Sequence, residues 1–164
     1  TLRTIVVDVV DLAYEMCFQH VCEISGMAYP TDLEYGRGWK LVRNEWQRVI
    51  TRMSKFPYSL VFISHSKVET IESQAVKRDR IIPSMTGQGS KDVLALCDLV
   101  LYCYMGEYAA KDEEGKVTGE IESQRMIICQ GQNSVVAGDR SGKLPPEIPM
   151  SYEELVKYYP DTEK

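Results

Sequence analysis

The sequence predicts a three-layer α/β fold, in which helices cover both faces of a mainly parallel sheet that ends in an antiparallel edge hairpin. Apolar, β-branched runs such as Thr4 to Val10 alternate along the chain with amphipathic helical segments. These runs show little alternation of polar and apolar residues, which is typical of strands covered on both faces. The order strand, helix, strand is the crossover unit that builds parallel sheets.

Size and composition predict one domain that spans residues 1–164. The chain has 44% hydrophobic and 26% charged residues, which is enough apolar material for one sizeable core. Chains below about 250 residues rarely divide into independent cores. No linker rich in Pro, Gly or Ser interrupts the middle of the sequence.

Charge and hydropathy exclude several classes of protein. With 19 Lys and Arg against 24 Asp and Glu, the net charge of -5 gives no general attraction to nucleic acid, so any such binding requires a local patch. No stretch approaches the roughly 20 apolar residues of a membrane span, and no signal peptide opens the chain. We therefore predict a cytoplasmic protein without a membrane partner.

The cysteines favour a reducing compartment. The five cysteines form no CxxC pair, and their odd number leaves one over in any disulfide scheme. Cys17, His20 and Cys22 could suggest a zinc site. On a helix, however, Cys22 points well away from Cys17, so zinc is not favoured.

The first half of the chain predicts a strand, two helices and a second strand. Asp11 is expected to cap a helix that follows Thr4 to Val10 and ends at Gly26. His20, on the apolar face of this helix, is expected to be a packed core histidine. A second helix carries an apolar stripe: Trp39, Val42, Trp46, Val49, Ile50 and Met53.

Core packing is the favoured role of both tryptophans on this stripe, rather than a stacking platform. Pro57 ends the helix, and Ser59 to Ser64 follows as a short apolar run of strand length. Because a long helix connects this run to Thr4 to Val10, we expect the two strands to be parallel neighbours.

The second half predicts a functional loop, a further strand and an antiparallel edge. The polar segment Ser66 to Arg80 is the candidate loop, before a short extended stretch to Pro83. A loop with Gly87 and Gly89 follows, then a helix at Ser90 to Cys97 and a strand at Asp98 to Met105.

The last part of the chain predicts an edge hairpin and a final helix. After a charged turn at Lys111 to Gly115, we expect antiparallel strands at Glu122 to Gln130 and Ser134 to Ala137, around Gly131 and Asn133. A capping box of Ser151 and Glu154 begins the last helix, which ends before Pro160.

Asp8 is the first candidate functional residue. Ile5, Val6 and Val7 precede it, and a hydrophobic strand that ends in an aspartate has the pattern of a Walker B element. In P-loop NTPases this carboxylate helps to hold the Mg²⁺ that bridges the β and γ phosphates. The pattern also arises by chance, and an aspartate that only caps the next helix is the alternative.

His65 is the second candidate, because it follows the second predicted strand. Parallel strands end at the same edge of a sheet, where ligands of open α/β sheets bind. In RecA-like folds the strand beside the Walker B strand ends in a polar sensor of the γ-phosphate. An ordinary strand-end histidine, hydrogen-bonded to a loop, is the alternative.

Five segments together resemble a family of phage and prophage ATP-binding proteins with a RecA-like core. In chain order they are TIVVDVVDLAYEMC, GRGWKLVRNEWQRVI, LVFISHSK, DLVLYCYM and AGDRSGKLPPEIPMSYEEL. Members usually carry GxxxxGK[ST] upstream and a catalytic carboxylate after an earlier strand. Both are absent from the 164 residues, and the chain opens at Thr1 directly before a strand. We therefore expect the carboxy-terminal part of a RecA-like core, from the Walker B strand onward.

The resemblance implies roles for three residues and two cofactors, ATP and Mg²⁺. Asp8 would bind Mg²⁺ through water, on the nucleotide side of the site, and His65 would act as the sensor. Arg140 would complete the ATP site of a neighbouring subunit in a ring or filament, where a basic residue stabilises charge in the transition state. The alternative for Arg140 is a turn with a local ion pair.

The resemblance also points to single-stranded DNA as a partner. In RecA, the loop after the sensor strand contacts single-stranded DNA, and flexible cations can follow a phosphate backbone. The corresponding segment contains no aromatic residue for base stacking, so a solvated mobile loop is the alternative. Its four cations are Lys67, Lys77, Arg78 and Arg80.

These observations predict part of a Mg²⁺-dependent ATPase of phage DNA recombination or single-strand annealing, encoded by a phage and acting in the cytoplasm of its bacterial host. The chain alone is expected to be inactive. The second hypothesis is a RecA-derived binding or scaffold module that does not hydrolyse ATP. The third is a plain α/β domain in which Asp8 only caps a helix. An intact GxxxxGK[ST] upstream would favour the enzyme, and a degenerate loop the module.

Overall fold

A computed structural model describes residues 3–73, 76–85, 87–111 and 114–159. The chain forms two compact units. The first comprises Thr1–Glu69 with Ile81–Cys97, and the second comprises Thr70–Arg80 with Asp98–Lys164. The single domain expected over residues 1–164 stays a prediction, and the two units are described separately.

Two parallel strands form the centre of the first unit. Strand β1 (Thr4–Asp8) pairs with β2 (Ser59–Ile63), in a register that runs from Thr4 opposite Ser59 to Asp8 opposite Ile63. This pairing confirms the predicted parallel neighbours. Strand β1 ends two residues earlier than expected, because helix α1 already begins at Val10.

Two helices pack against one face of this strand pair. Helix α1 (Val10–Ser25) ends at Gly26, which adopts the left-handed conformation with φ 64°, as the sequence predicts. Short 3₁₀ helices at Pro30–Asp32 and Glu34–Gly36 lead to helix α2 (Arg37–Met53). The buried core beneath the sheet consists of Val10, Trp46, Ile50, Met85 and Val93.

The other face of the strand pair is exposed in the described part of the chain. Val6 is 54% exposed, and Val61 and Ile63 on the neighbouring strand are exposed too, while Val7 and Phe62 pack on the core. The expectation that β1 is buried on both faces is wrong for these residues. Among the described residues the run is apolar on both faces but covered on only one. The fold is α/β, and the three-layer, mainly parallel sheet stays a prediction.

A β-hairpin replaces the polar loop expected at Ser66 to Arg80. Strands β3 (Ser66–Ser73) and β4 (Val76–Pro83) pair in a two-stranded sheet. Its polar residues pair across the strands: Lys77 Nζ lies 2.7 Å from Glu72 Oε1, and Thr70 Oγ1 donates to Asp79 Oδ1 at 2.7 Å. These cross-strand pairs are polar, and the hairpin lacks an apolar pattern. This explains why the sequence suggested a loop.

Helix α3 (Gly87–Leu96) begins earlier than expected, so that both glycines of the predicted loop lie inside it. Gly89 is required by a close approach, because a Cβ there would lie 2.5 Å from the ring of Tyr14. The carbonyl oxygen of Gly89 also accepts a hydrogen bond from Trp46 Nε1 at 3.4 Å.

The described strands of the second unit are antiparallel. Strand β6 (Tyr102–Lys111) pairs with β7 (Val117–Ile128), which also pairs with β9 (Glu147–Pro149). Strand β5 (Leu99–Val100) pairs with β8 (Gly138–Asp139). The strand expected at Asp98 to Met105 is therefore divided between β5 and β6, and its predicted place in a parallel series is wrong for the described residues.

The predicted edge hairpin also has different partners. The segment Glu122 to Gln130 lies mostly in β7, whose partners are β6 and β9, whereas Ser134 to Ala137 contributes one isolated bridge, from Gln132 to Val135. The charged turn instead connects β6 to β7, and its residues 112 and 113 lie outside the described residues. Sequence periodicity identified the strand but not its partner, because partners are set by long-range contacts.

Helix α4 (Tyr152–Val156) begins as predicted. Ser151 Oγ accepts a hydrogen bond from the Glu154 backbone N–H at 3.2 Å. The Glu154 carboxylate binds Lys157 rather than the backbone of Ser151, so one half of the capping box is present. Pro160 lies outside the described residues. None of the helices in the described ranges is long and apolar enough to cross a membrane.

Candidate active site

Asp8 lies at the carboxyl end of β1 and is exposed. In the part of the chain that the structure describes, its carboxylate has no hydrogen bond or ion pair. The N-cap of α1 is Val9, and no side chain caps that helix. The alternative in which Asp8 only caps the helix is therefore wrong, and its carboxylate is available to a ligand at the strand end.

Asp11 is the centre of the hydrogen-bond network beside the strand ends. It lies in the first turn of α1, one residue inside the helix, so its predicted role as N-cap is wrong. Its Oδ2 accepts from the His65 N–H at 3.0 Å, from His65 Nδ1 at 2.9 Å and from Ser84 Oγ at 2.7 Å, while Oδ1 accepts from Ser64 Oγ at 2.5 Å.

These hydrogen bonds stabilise the ionised form of Asp11. Burial acts to raise the pKa of its carboxyl group, but the donors Ser64, Ser84 and His65 outweigh burial and hold the pKa below its ordinary value. Sequence reasoning missed this role. The partners lie 53 to 73 residues away along the chain, and an acidic residue in a first helical turn carries no local sign of them.

We expect the Asp11 carboxylate to stabilise the fold at neutral pH and to lose this effect in acid. Because its pKa is lowered in the folded state, the stabilisation is present above the ordinary value of 3.8 and is lost as the pH falls through the folded-state pKa. Urea unfolding of Asp11→Asn, which cannot titrate, should show a loss of about 1–3 kcal/mol at pH 7. The difference from the wild type should shrink below about pH 4. A difference that does not change with pH would contradict this assignment.

His65 follows β2 directly, two residues after Ile63, the strand partner of Asp8. The structure therefore brings the two predicted site residues to the same end of neighbouring parallel strands. The His65 side chain is 72% exposed, and one edge of its ring is bound to Asp11 through Nδ1. The strand-end histidine is thus both accessible and held by a carboxylate.

Arg140 lies in the second unit, directly after β8. Its Nη1 is 3.0 Å from Asp98 Oδ1, and its backbone N–H donates to the Asp98 carbonyl oxygen at 2.9 Å. This is the local ion pair that the sequence offered as the alternative. Both side chains are largely exposed, and a role for Arg140 in catalysis stays a prediction.

The neighbouring Asp139 organises the turn that follows β8. Its oxygens accept from the Leu144 N–H, the Ser141 N–H and the Tyr159 hydroxyl, each at 2.8 Å. Burial acts to raise its pKa, but these bonds outweigh burial and hold the pKa of Asp139 far below its ordinary value. This network stabilises the turn and leaves no free carboxylate oxygen there.

The four predicted DNA-contacting cations differ in their surroundings. Lys77 pairs with Glu72. Because successive side chains of a strand point to opposite faces, Arg78 and Arg80 lie on the face of β4 opposite to Lys77. Within the described ranges neither arginine has a hydrogen bond or ion pair, and Arg80 Nε is buried without a partner. Lys67 lies near the start of β3. Binding of DNA by these four residues stays a prediction.

Metal binding at this site would depend on few protein ligands. Among the described residues, no group of three or more His, Cys, Asp or Glu side chains could hold a metal ion. Mg²⁺ commonly uses one or two carboxylates together with substrate phosphates and water. A single exposed carboxylate such as Asp8 fits that arrangement.

The first unit thus has an α/β fold, with the exposed Asp8 carboxylate at the end of a parallel strand. The family model described as an AAA domain matches residues 1–141, and the chain belongs to this family. It is thus a P-loop AAA-type, ATPase-like domain. Comparison with curated proteins and with solved structures gives no match.

Proposed function

We propose that this chain supplies the Walker B strand and the sensor strand of a RecA-like, Mg²⁺-dependent ATPase. The observation that carries the proposal is the register of β1 and β2. Both strands end at one edge, where Asp8 and His65 are exposed. Family membership supports ATP as the ligand. The exposed apolar face of the strand pair supports a larger, three-layer sheet.

Asp8 would hold Mg²⁺ through water on the nucleotide side of the site. When bound there, Mg²⁺ would supply positive charge that stabilises the negative charge developing in the transition state. The Asp8 carboxylate makes no hydrogen bond or ion pair among the described residues, so none has to break before it binds Mg²⁺. His65 would reach the γ-phosphate side of the nucleotide through water from the neighbouring strand end, directly before the β3–β4 hairpin.

Phosphate affinity in P-loop domains comes mainly from the GxxxxGK[ST] loop, which is absent from the 164 residues. We propose that an upstream segment of the complete protein supplies it. The 164-residue chain should therefore bind Mg²⁺-ATP with a dissociation constant of about 1 mM or weaker, a free energy near -4 kcal/mol. Isothermal titration calorimetry measures this constant, and micromolar binding would show that the site is built differently.

ATP hydrolysis by the complete protein tests the proposed function itself. Turnover that requires Mg²⁺ supports an ATPase. ATP binding without turnover, or a degenerate upstream loop, would identify the alternative, a RecA-derived binding or scaffold module.

We further propose that the complete protein acts on single-stranded DNA in phage recombination or annealing, in a ring or filament in which Arg140 reaches a neighbouring ATP site. The support is Arg78 and Arg80 of β4, which have no hydrogen bond or ion pair among the described residues, and the exposure of the ion pair between Arg140 and Asp98. Exposed ion pairs of this kind contribute little to stability. Arg140 could therefore leave Asp98 for the phosphates of a neighbouring ATP site at little cost.

The β4 arginines give a matched test of DNA binding. The double variant Arg78→Ala, Arg80→Ala should weaken binding of single-stranded DNA and reduce the slope of log K against log salt by roughly 0.7 for each phosphate that the arginines neutralise. Lys77→Ala should leave that slope unchanged, because Glu72 already neutralises Lys77. Fluorescence anisotropy across a salt series measures the slopes. Equal slopes for the wild type and the double variant would exclude this face of the hairpin.

A further inference from the structure

One carboxylate binds the residues at both ends of the β3–β4 hairpin. Ser64 and His65 precede the hairpin, Ser84 follows it, and all three donate to Asp11. The two ends also bind each other, since the Ser84 N–H donates to the His65 carbonyl oxygen at 2.7 Å. The first turn of α1, the end of β2 and the end of β4 therefore meet at Asp11.

The same contacts determine which nitrogen of His65 carries the proton. An ionised carboxylate can only accept hydrogen bonds, so the 2.9 Å contact with Asp11 Oδ2 requires a proton on Nδ1. In a neutral imidazole the other nitrogen then has no proton and acts as an acceptor. Nε2 lies at the opposite edge of the ring, and His65 has no second side-chain partner in the described part of the chain.

We propose that Asp11 is a positioning residue, which holds His65 with Nδ1 protonated and presents Nε2 as a hydrogen-bond acceptor at the strand end that Asp8 shares. A neutral His65 held in this way cannot donate to a phosphate oxygen. It can accept from a water molecule and orient that water beside the nucleotide. This function of Nε2 rests on the proposed ATPase, whereas the action of Asp11 on His65 does not.

The tautomer of His65 tests the inference without nucleotide. The chain has two histidines, and His20→Gln assigns the imidazole ¹⁵N signals. The wild type should carry the neutral His65 proton on Nδ1. Asp11→Ala should lose this preference, and Ser84→Ala, which removes a donor to the same oxygen but leaves His65 in contact, should retain it. A wild-type spectrum with the proton on Nε2 would overturn the inference whether or not the variants fold.

A double-mutant cycle in the complete protein tests the consequence for turnover. Asp11→Ala should lower kcat about tenfold to a hundredfold with little change in KM for ATP, because a misplaced group affects mainly the transition state. In a His65→Ala background, the same change should cost no further rate. Additive losses would overturn an action of Asp11 through His65. If the complete protein hydrolyses no ATP, the proposed function fails, and the tautomer measurement still decides the role of Asp11.

Discussion

Asp8→Ala should lower ATP turnover by the complete protein about a hundredfold or more and leave its melting temperature nearly unchanged. Losing a group that stabilises charge in the transition state commonly costs this much in rate. Stability should respond little, because the exposed Asp8 side chain has no partner in the described residues and does not cap α1. An ATPase assay and a melting curve on the same variant measure both effects.

Two further variants make this result specific. Asp8→Asn keeps the size of the side chain and removes its charge, so it should lose most of the turnover as well. Glu34→Ala removes another exposed carboxylate of the same unit and should retain the wild-type rate. An unchanged rate for Asp8→Ala would remove Asp8 from the proposed site, and equal losses for Glu34→Ala would point to net charge instead.

The contrast between Asp8 and Asp11 follows from their surroundings. Three residues apart in sequence, one carboxylate has no partner among the described residues and the other accepts four hydrogen bonds. A free carboxylate contributes to ligand binding and little to stability, whereas removal of a multiply bonded carboxylate leaves its donors unsatisfied. The sequence pattern assigned a helix cap to Asp11, and the structure gives neither aspartate that role.

Predictions from sequence succeeded where local pattern determines the structure. The apolar stripe of α2, the glycine at the end of α1 and the cap at Ser151 are each encoded within a few residues. The parallel pairing of β1 with β2 followed as well, because a long helix connects two strands that lie side by side.

Predictions failed where partners distant in sequence decide the structure. The β3–β4 hairpin pairs polar residues across its strands, such as Glu72 with Lys77, and these residues have no apolar period. The sequence of β6 predicts another parallel strand, but β6 pairs with β7 in an antiparallel sheet. Asp8 and His65 could be chosen from strand ends, but Asp11 could not, since its four donors come from residues 64, 65 and 84.

The core of the first unit provides the largest expected effect on stability. Trp46 is buried among the residues beneath β1 and β2, and its ring meets Tyr14 edge-on, with centroids 5.2 Å apart. Its Nε1 also binds the Gly89 carbonyl oxygen, which joins α2 to α3. Removing the indole would leave a large cavity and an unsatisfied carbonyl group. Trp46→Ala should therefore cost about 3–5 kcal/mol of unfolding free energy.

Trp39, on the same helix, is the matched control. It is 42% exposed and packs against Phe18 and Tyr29 at the edge of the unit, so Trp39→Ala should cost roughly 1–2 kcal/mol. Trp46→Phe should fall between the two alanine variants, because it keeps an aromatic ring but loses the bond to Gly89. Urea unfolding followed by far-ultraviolet circular dichroism compares all three variants without relying on tryptophan fluorescence. Equal losses for Trp39→Ala and Trp46→Ala would contradict this assignment, since of the two tryptophans only Trp46 lies in the buried core beneath β1 and β2.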